Sequence, residues 1–521
     1  MEYEPCMIRI SLIRTLSKVI LPICLILLPL LPKAQSINRP IPPGLFSYEY
    51  QISSGPLNAY LLLSPARMFM LPANPAYRQP RPIILDSAGY LVWYSSRPYR
   101  SVTDFKYDER FGRFTYMALK TFTSGGCMVM NDQMELVDSL QYQGDVRIDS
   151  HEFGMLANGN FVRVGQYDTV MDLSAYTFGG VQGSSNTTVI ASVVQEIDPS
   201  HNLVFQWIST DHIHPAMAYD AYGYNPNGYD YCHINAVEED SDGNFLLSFR
   251  HLNAIYKIDR QNGSVIWSMG GKNPDLILLN DHGFSGQHDI RRTPEGRLSL
   301  FDNGNTDSLK RTRSLLIEED SAGSAAMVVW DYQPNPPFFA GAMGSHQQLP
   351  DQDHLIGYGL VYRPYPSVSL VDSAMNLKMQ LIFEDSVISY RARMATGLSF
   401  PRPEITCSVQ NNELILSMPP GYARYIWSNG AQTPDITVTT AGVYQCWIPY
   451  GSGMLGSFPF IVEDPADGCG QTSLPENSSA DTEDEIIQYT DLCGRIILKP
   501  REGCVCIAIY KSGKSKLIII K

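Results

Sequence analysis

Three histidines in this chain each lead the same local pattern: a short gap, a tight Gly turn, then a strand. They are His151, followed by Asn158-Gly159; His233, followed by Asp242-Gly243; and His288, followed by Glu295-Gly296. The strand after the second turn runs into Ser248-Phe249-Arg250. A repeated unit puts equivalent residues at equivalent places, so three unit-leading histidines are expected to converge on one site. Neutral imidazole is a competent nucleophile near pH 7, its reference pKa being about 6.5. A guanidinium offers a planar donor fork to oxyanions. Together they suit an anionic group that is attacked and handed on.

The elements that must hold these residues are short strands. From 40 to 398 the sequence alternates apolar runs with Gly, Asn and Asp turns and carries no long helical periodicity, which predicts an all-β fold. Units close on strands ending in Trp207, Trp267 and Trp330. A fourth copy follows at Gly344, where aligning Pro350 with Pro294 puts glycine at the histidine position. Spacings of 55 residues (233 to 288) and 56 (288 to 344) slightly exceed the roughly 40–50 of familiar four-stranded blades. Asp86 to Trp93 and the region 112–142 read as two degenerate copies upstream. Six units predict a six-bladed β-propeller over 40–398, whose closure removes exposed sheet edges.

Charge and the chain ends add context. Arg9, Arg14 and Lys18 precede an apolar run from Val19 to Leu31, then Pro-Lys-Ala-Gln-Ser. This is the layout of a signal peptide over 1–35, and 13 apolar residues fall short of the roughly 20 that span a membrane. An exported location, secreted or at the cell surface, is expected. The chain carries a formal charge of −14. Residues 1–35 hold four basic and two acidic residues, so the remainder is −16. That balance opposes a phosphate backbone as partner. Eight of the ten cysteines lie beyond residue 35, too few for a dense disulfide framework. Pairing of Cys127, Cys232, Cys469, Cys493, Cys504 and Cys506 is left open.

A second module spans 402–463. Cys407, Trp427 and Cys446 follow the order of an immunoglobulin-like β-sandwich, and Tyr444 stands two residues before the second Cys, as in a tyrosine corner. The resemblance implies a Cys407–Cys446 bridge. Residues 464–485 have acidic linker composition. The end, 486–521, reads as a small C-terminal β domain. Through Asp491-Leu492, Gly494-Arg495, Gly513 and a basic-apolar terminus it resembles the sorting domain of type IX secretion, which implies contact with export machinery.

Over roughly 80–395 the chain resembles the bacterial arylsulfate sulfotransferase family. The residues that carry this are Ser150-His151-Glu-Phe; Cys232-His233-Ile-Asn235 with Ser248-Phe-Arg250-His251; Trp267-Ser-Met-Gly-Gly271; Gln287-His288-Asp-Ile with Phe301-Asp-Asn-Gly304; and Tyr390-Arg-Ala. The resemblance implies transfer of a sulfuryl group from a phenolic sulfate ester to a phenol acceptor without a nucleotide or other cofactor. His288 is then the nucleophile, forming a sulfohistidine; His151, His233 and Arg250 hold sulfuryl oxygens and manage protons; Asn235 is a substrate donor. An arylsulfate hydrolase and a non-catalytic binding or adhesion propeller are the competing expectations. Ser512-Gly-Lys-Ser515 lacks the upstream glycine of a phosphate loop. His212 and His214 lack Cys or acidic partners at ligand spacing, so no metal is expected. Arg250 and His251, adjacent on one strand, are expected to point to opposite faces.

Overall fold

The computed structural model describes residues 37–53, 59–67, 78–120, 124–142, 144–320, 323–469 and the backbone of four short strands between 486 and 519. The leader read at 1–35 and most of the acidic linker lie outside the described residues, as do the turn residues of the C-terminal region. Every described element is a strand or a 3₁₀ turn.

The repeated turn has one hydrogen-bonding scheme. In the copy at 240–244 the Asp240 N–H donates to the Asn244 carbonyl (2.8 Å) and Gly243 N–H donates back to the Asp240 carbonyl (2.8 Å). Gly243 has φ +82°, which glycine adopts without steric cost. The same pairs of bonds close 86–90, 156–160, 293–297 and 349–353. In the last copy Gln352 takes the position at φ +66°, so a pattern built on glycine misses it. Each turn joins the first two strands of its unit, except at 86–90, where the chain enters the sheet one strand later.

Six sheets of four or more strands result over this region, antiparallel except where Ile277–Leu278 pairs in parallel with Ala325–Ala326 in the fifth. The first contains Tyr60–Arg67, Ile83–Leu85 and Leu91–Ser95, with Val387–Ala395 returning from far along the chain to pair with Tyr60–Arg67. The second runs from Ser101–Asp108 to Leu136–Leu140, the third from Arg147–Met155 to Leu203–Ile208, and the fourth from Ile234–Glu239 to Val265–Gly270. The fifth begins with His288–Arg292 and the sixth with Ser345–Gln348. Tyr48–Ile52 adds to the far edge of the sixth sheet. Leading strands touch in order from the first sheet through the sixth and back to Val387–Ala395. The closing tryptophans lie on outer strands; Trp207 is buried and donates to the Gly263 carbonyl of the fourth sheet (3.0 Å).

Where the leading strands meet, charged side chains are buried together. Arg391, 3 % exposed, pairs with Asp104 of the second sheet and Glu152 of the third (3.0 Å). It also donates to the Asn235 carbonyl of the fourth (2.7 Å) and lies 3.2 Å from Asp289 of the fifth. Arg393 and Arg291 also pair with Asp289, Arg291 with Glu152 (2.7 Å), and Lys106 with Asp104 (2.8 Å) and Glu152. Backbone N–H of His346, on the sixth sheet, donates to Asp289 (3.2 Å). Strand bulges aim these groups inward: register shifts fall between Thr103 and Lys106, Ile148 and Phe153, Ile234 and Ala236, His288 and Arg291, and Ser389 and Ala392. Asp104 and Asp289 sit at φ +56° and +63°, a region Asp tolerates better than most residues.

The module after 402 continues the first sheet. Gly453–Gly456 pairs with Leu91–Ser95, and Cys446–Tyr450 pairs with Gly453–Gly456. Tyr444 donates its hydroxyl to the Thr440 carbonyl (2.9 Å). The expected Cys407–Cys446 bridge is wrong: Cys407 is bonded to Cys469, and Cys446 is a buried free thiol. Cys446 faces the module's core beside Trp427. The chain instead turns back after Phe460–Val462 through the 3₁₀ turn Pro465–Asp467, bringing Cys469 to a Cα separation of 5.6 Å from Cys407, within bridging range.

Removing Arg391 takes one cation from three buried carboxylates, leaving them only Lys106, Arg291 and Arg393. Arg391→Met is expected to lower unfolding stability by about 3–5 kcal/mol, the usual cost of breaking a buried pair from one side. Denaturant unfolding of the variant against the native chain measures it.

Candidate active site

His151, His233, His288 and Arg250 come together at the mouth of this axis. Each arrives by a different local device. His151 lies within the bulge of Arg147–Met155. His233 precedes Ile234–Glu239 at φ +53°. His288 opens its strand. Arg250 starts the 3₁₀ turn Arg250–Leu252 that ends Phe245–Phe249. The rings of His151 and His233 meet edge to face at 4.8 Å, and Tyr390 stands 5.9 Å from His151.

Neighbouring residues within the bulges take different destinations. His151 faces the site while Glu152 enters the ion cluster; His288 and Asp289 divide the same way, as do Tyr390 and Arg391.

Each histidine has a different partner on Nδ1. In His151 it bonds Asp149, which also accepts the His151 backbone N–H (3.0 Å). In His233 it bonds Asp230 at 2.5 Å. In His288 it faces two oxygens, the Gly286 carbonyl (2.9 Å) and Asn303 Oδ1 (2.7 Å). The Asn303 amide is oriented by its other end, where Nδ2 donates to the Ala340 (2.7 Å) and Met343 (3.0 Å) carbonyls. With acceptors on both sides, His288 Nδ1 carries the proton. Its Nε2 lone pair accepts the Met343 backbone N–H at 3.1 Å.

Protonation follows these partners. Burial, the Arg250 cation and His151 hold His288 well below the ordinary imidazole pKa, so it is neutral. Burial also lowers His151, but the Asp149 carboxylate outweighs it and the net shift is upward. Burial works against ionisation of Asp149 and Asp230, yet His151 and His233 respectively bring them below the usual carboxylate value.

Arg250 is half-buried and makes no ion pair with a carboxylate among the described residues. Its guanidinium donates to His251 Nε2 (2.9 Å) and the Gly341 carbonyl (3.2 Å), lies 5.0 Å from the Tyr222 ring centre, and leaves Nε unbonded. Burial lowers its pKa, though a guanidinium remains charged. An unpaired cation beside two histidines whose Nε2 atoms make no hydrogen bond to the described protein is a receptor for an oxyanion.

Two placements differ from expectation. Asn235 falls in a bulge, and its Nδ2 donates to the Gln287 carbonyl (2.7 Å) behind His288 while Oδ1 is buried without a partner. It joins two sheets rather than facing the cluster. His251 does not point away from Arg250, because the strand ends at Phe249 and the 3₁₀ turn cancels alternation. It stacks on His233 at 4.6 Å and donates Nδ1–H to the Asp230 carbonyl (2.6 Å), and burial with His233 pushes its pKa down to about 3. Asp230, His233 and His251 approach one another closely enough to hold a metal, but the Arg250 guanidinium already occupies His251 Nε2. His212 and His214 lie elsewhere, stacked on Trp207 and Tyr176. In the Tyr-rich segment, Tyr222 stacks on His251 (4.4 Å), while Tyr229 and Tyr231 are buried in packing. A cavity of about 450 Å³ between the second and third sheets, lined in part by Arg163, Tyr167 and Gln206, is remote from these residues.

Sequence reading missed Asp149, Asp230 and Asn303. Asp149 and Asp230 precede their histidines by two and three residues, and an acid that close was the available signal.

The family model for arylsulfotransferase (ASST) matches residues 118–384, just over half of the 521 residues. Among solved structures, a protein of unknown function from Bacteroides caccae aligns at 9 % identity over 65 % of this chain and 99 % of its own, with a TM-score of 0.41. The C-terminal WD40 domain of Sif2 aligns at 9 % identity over 94 % of this chain and 97 % of its own (TM-score 0.29). The Dos1 propeller does so at 11 % over 76 % of each (TM-score 0.30). These likenesses are too distant to bear on function. No curated protein matches the chain.

Asp149→Asn removes the carboxylate that opposes burial at His151. The His151 ring is then expected to titrate below its native midpoint, as read by NMR of ring protons across pH.

Proposed function

The chain belongs to the arylsulfotransferase family, and on that premise we propose that it moves a sulfuryl group between phenols through His288. The reading is supported most directly by one observation: His288 is buried with two oxygen acceptors on Nδ1, near an arginine that pairs with no carboxylate among the described residues.

In the first half-reaction the phenolic sulfate ester places its sulfuryl oxygens among Arg250, His151 and His233. The Met343 N–H gives way, the His288 Nε2 lone pair attacks sulfur, and the sulfur–aryl oxygen bond breaks. The departing aryl oxide has a conjugate acid with pKa of about 10, so it leaves more easily as it takes a proton. His151, kept proton-rich by Asp149, supplies it; such general acid help is commonly worth ~10²–10⁴ in rate. The sulfohistidine splits one difficult transfer into two easier ones. An acceptor phenol then loses its proton to His151 and attacks sulfur, breaking the sulfur–Nε2 bond and restoring neutral His288. Arg250 remains charged throughout and stabilises the sulfuryl oxygens.

The six sheets are read as blades of a six-bladed propeller over 40–398. The module at 402–463 is read as an Ig-like sandwich, and 486–521 as a type IX sorting tail on an exported protein.

A chromogenic arylsulfate, with and without added phenol, tests transfer. Colour release that depends on acceptor, and falls below detection in His288→Ala, supports the reading. Equal release without acceptor indicates hydrolysis, and none from several donors indicates a binding protein.

A further inference from the structure

The three site histidines differ in the charge of the group on Nδ1. His151 and His233 have carboxylates, Asp149 and Asp230. His288 has a carboxamide, Asn303, and a backbone carbonyl. The difference is enforced. Asn303 is completely buried, and its Nδ2 is committed to two carbonyls, so only Oδ1 can face His288. An anionic partner stabilises imidazolium strongly, whereas a neutral acceptor fixes a tautomer and favours the second proton less.

We propose that Asn303 is the positioning residue that selects His288 as nucleophile, by holding its proton on Nδ1 and its Nε2 lone pair toward the sulfuryl site. A carboxylate in its place, as at the other two histidines, makes this histidine a proton carrier instead. The same amide ties down the Ala340 and Met343 carbonyls and so sets the amide that rests on Nε2. The groups bearing on His288 are Arg250, His151 and His233, with Asn303, Gly286 and Met343 in hydrogen-bond contact. Arg250, His151, His233 and the Gly286 carbonyl do not bond Asn303, whereas the Met343 contact depends on it.

The inference rests on His288 being the attacking group, and its test separates the two. Histidine ¹⁵N NMR of the unmodified chain, assigned with His288→Ala, is expected to show Nδ1 protonated and Nε2 bare at pH 7. The opposite tautomer, or imidazolium, overturns the proposal whatever the activity. The kinetic test is kcat/KM against pH for Asn303→Asp, with Asn303→Ala as a partner variant and circular dichroism to verify folding. The native chain is expected to keep its rate on acidification through pH 6. Asn303→Asp is expected to gain an acidic limb: one pH unit below the new His288 pKa the neutral fraction is about a tenth, so the rate drops about tenfold there and recovers as pH rises through that pKa. Asn303→Ala, lacking the carboxylate, is expected to lose rate equally at every pH. Superimposable profiles for the native chain and Asn303→Asp overturn the proposal. Should His288→Ala retain acceptor-dependent transfer, the reading of the reaction itself fails, independently of the tautomer result.

Discussion

Arg391 is the constraint on which the rest of this structure depends. It is almost wholly buried where leading strands of the six sheets meet, in contact with groups from the second, third, fourth and fifth. Four acids (Asp104, Glu152, Glu238, Asp289) and four bases (Lys106, Arg291, Arg391, Arg393) share this cluster. Buried ions are costly to desolvate, and the cost is offset only when each is paired with good geometry. The strands must therefore bulge at fixed places, and those bulges also fix where His151, His233 and His288 emerge. The ion cluster thus acts as the floor of the site. Its contribution is the relative position of the sheets whose side chains it joins.

Above that floor, one ring type does two jobs. The Asp149 carboxylate favours the charged form of His151, while burial and the Arg250 cation keep His288 neutral. Pushing acid and base apart by environment is how a single side-chain type supplies both nucleophile and proton donor. Arg250 completes the set, since no carboxylate among the described residues bonds it.

Much of this was legible in the sequence. The histidine-turn-strand repeat has a physical cause, since each glycine turn needs positive φ, and it located the three histidines and Arg250 at one site. The dipeptides His151-Glu152 and His288-Asp289 carried the ion cluster in plain sight, but alternation reveals two destinations only when the axis is known. Asn303 was unreadable as a partner because its bond to His288 depends on the pairing of adjacent strands and on carbonyls at 340 and 343. Cys469 was missed because a Cys-Trp-Cys order suggested a bridge that the buried face of Cys446 forbids. Asn235 and His251 were misplaced for one reason: a bulge and a 3₁₀ turn each break the two-residue period.

The central claim is that His288 carries the sulfuryl group between donor and acceptor. Incubating the protein with an arylsulfate and no phenol, quenching in alkali, where N-sulfated imidazole persists, and mapping peptides by mass spectrometry tests it directly. The account predicts one sulfuryl group on the peptide containing His288, lost when a phenol is added before the quench. Release of the donor phenol with acceptor present, but with no such adduct or with the adduct on another residue, would contradict it.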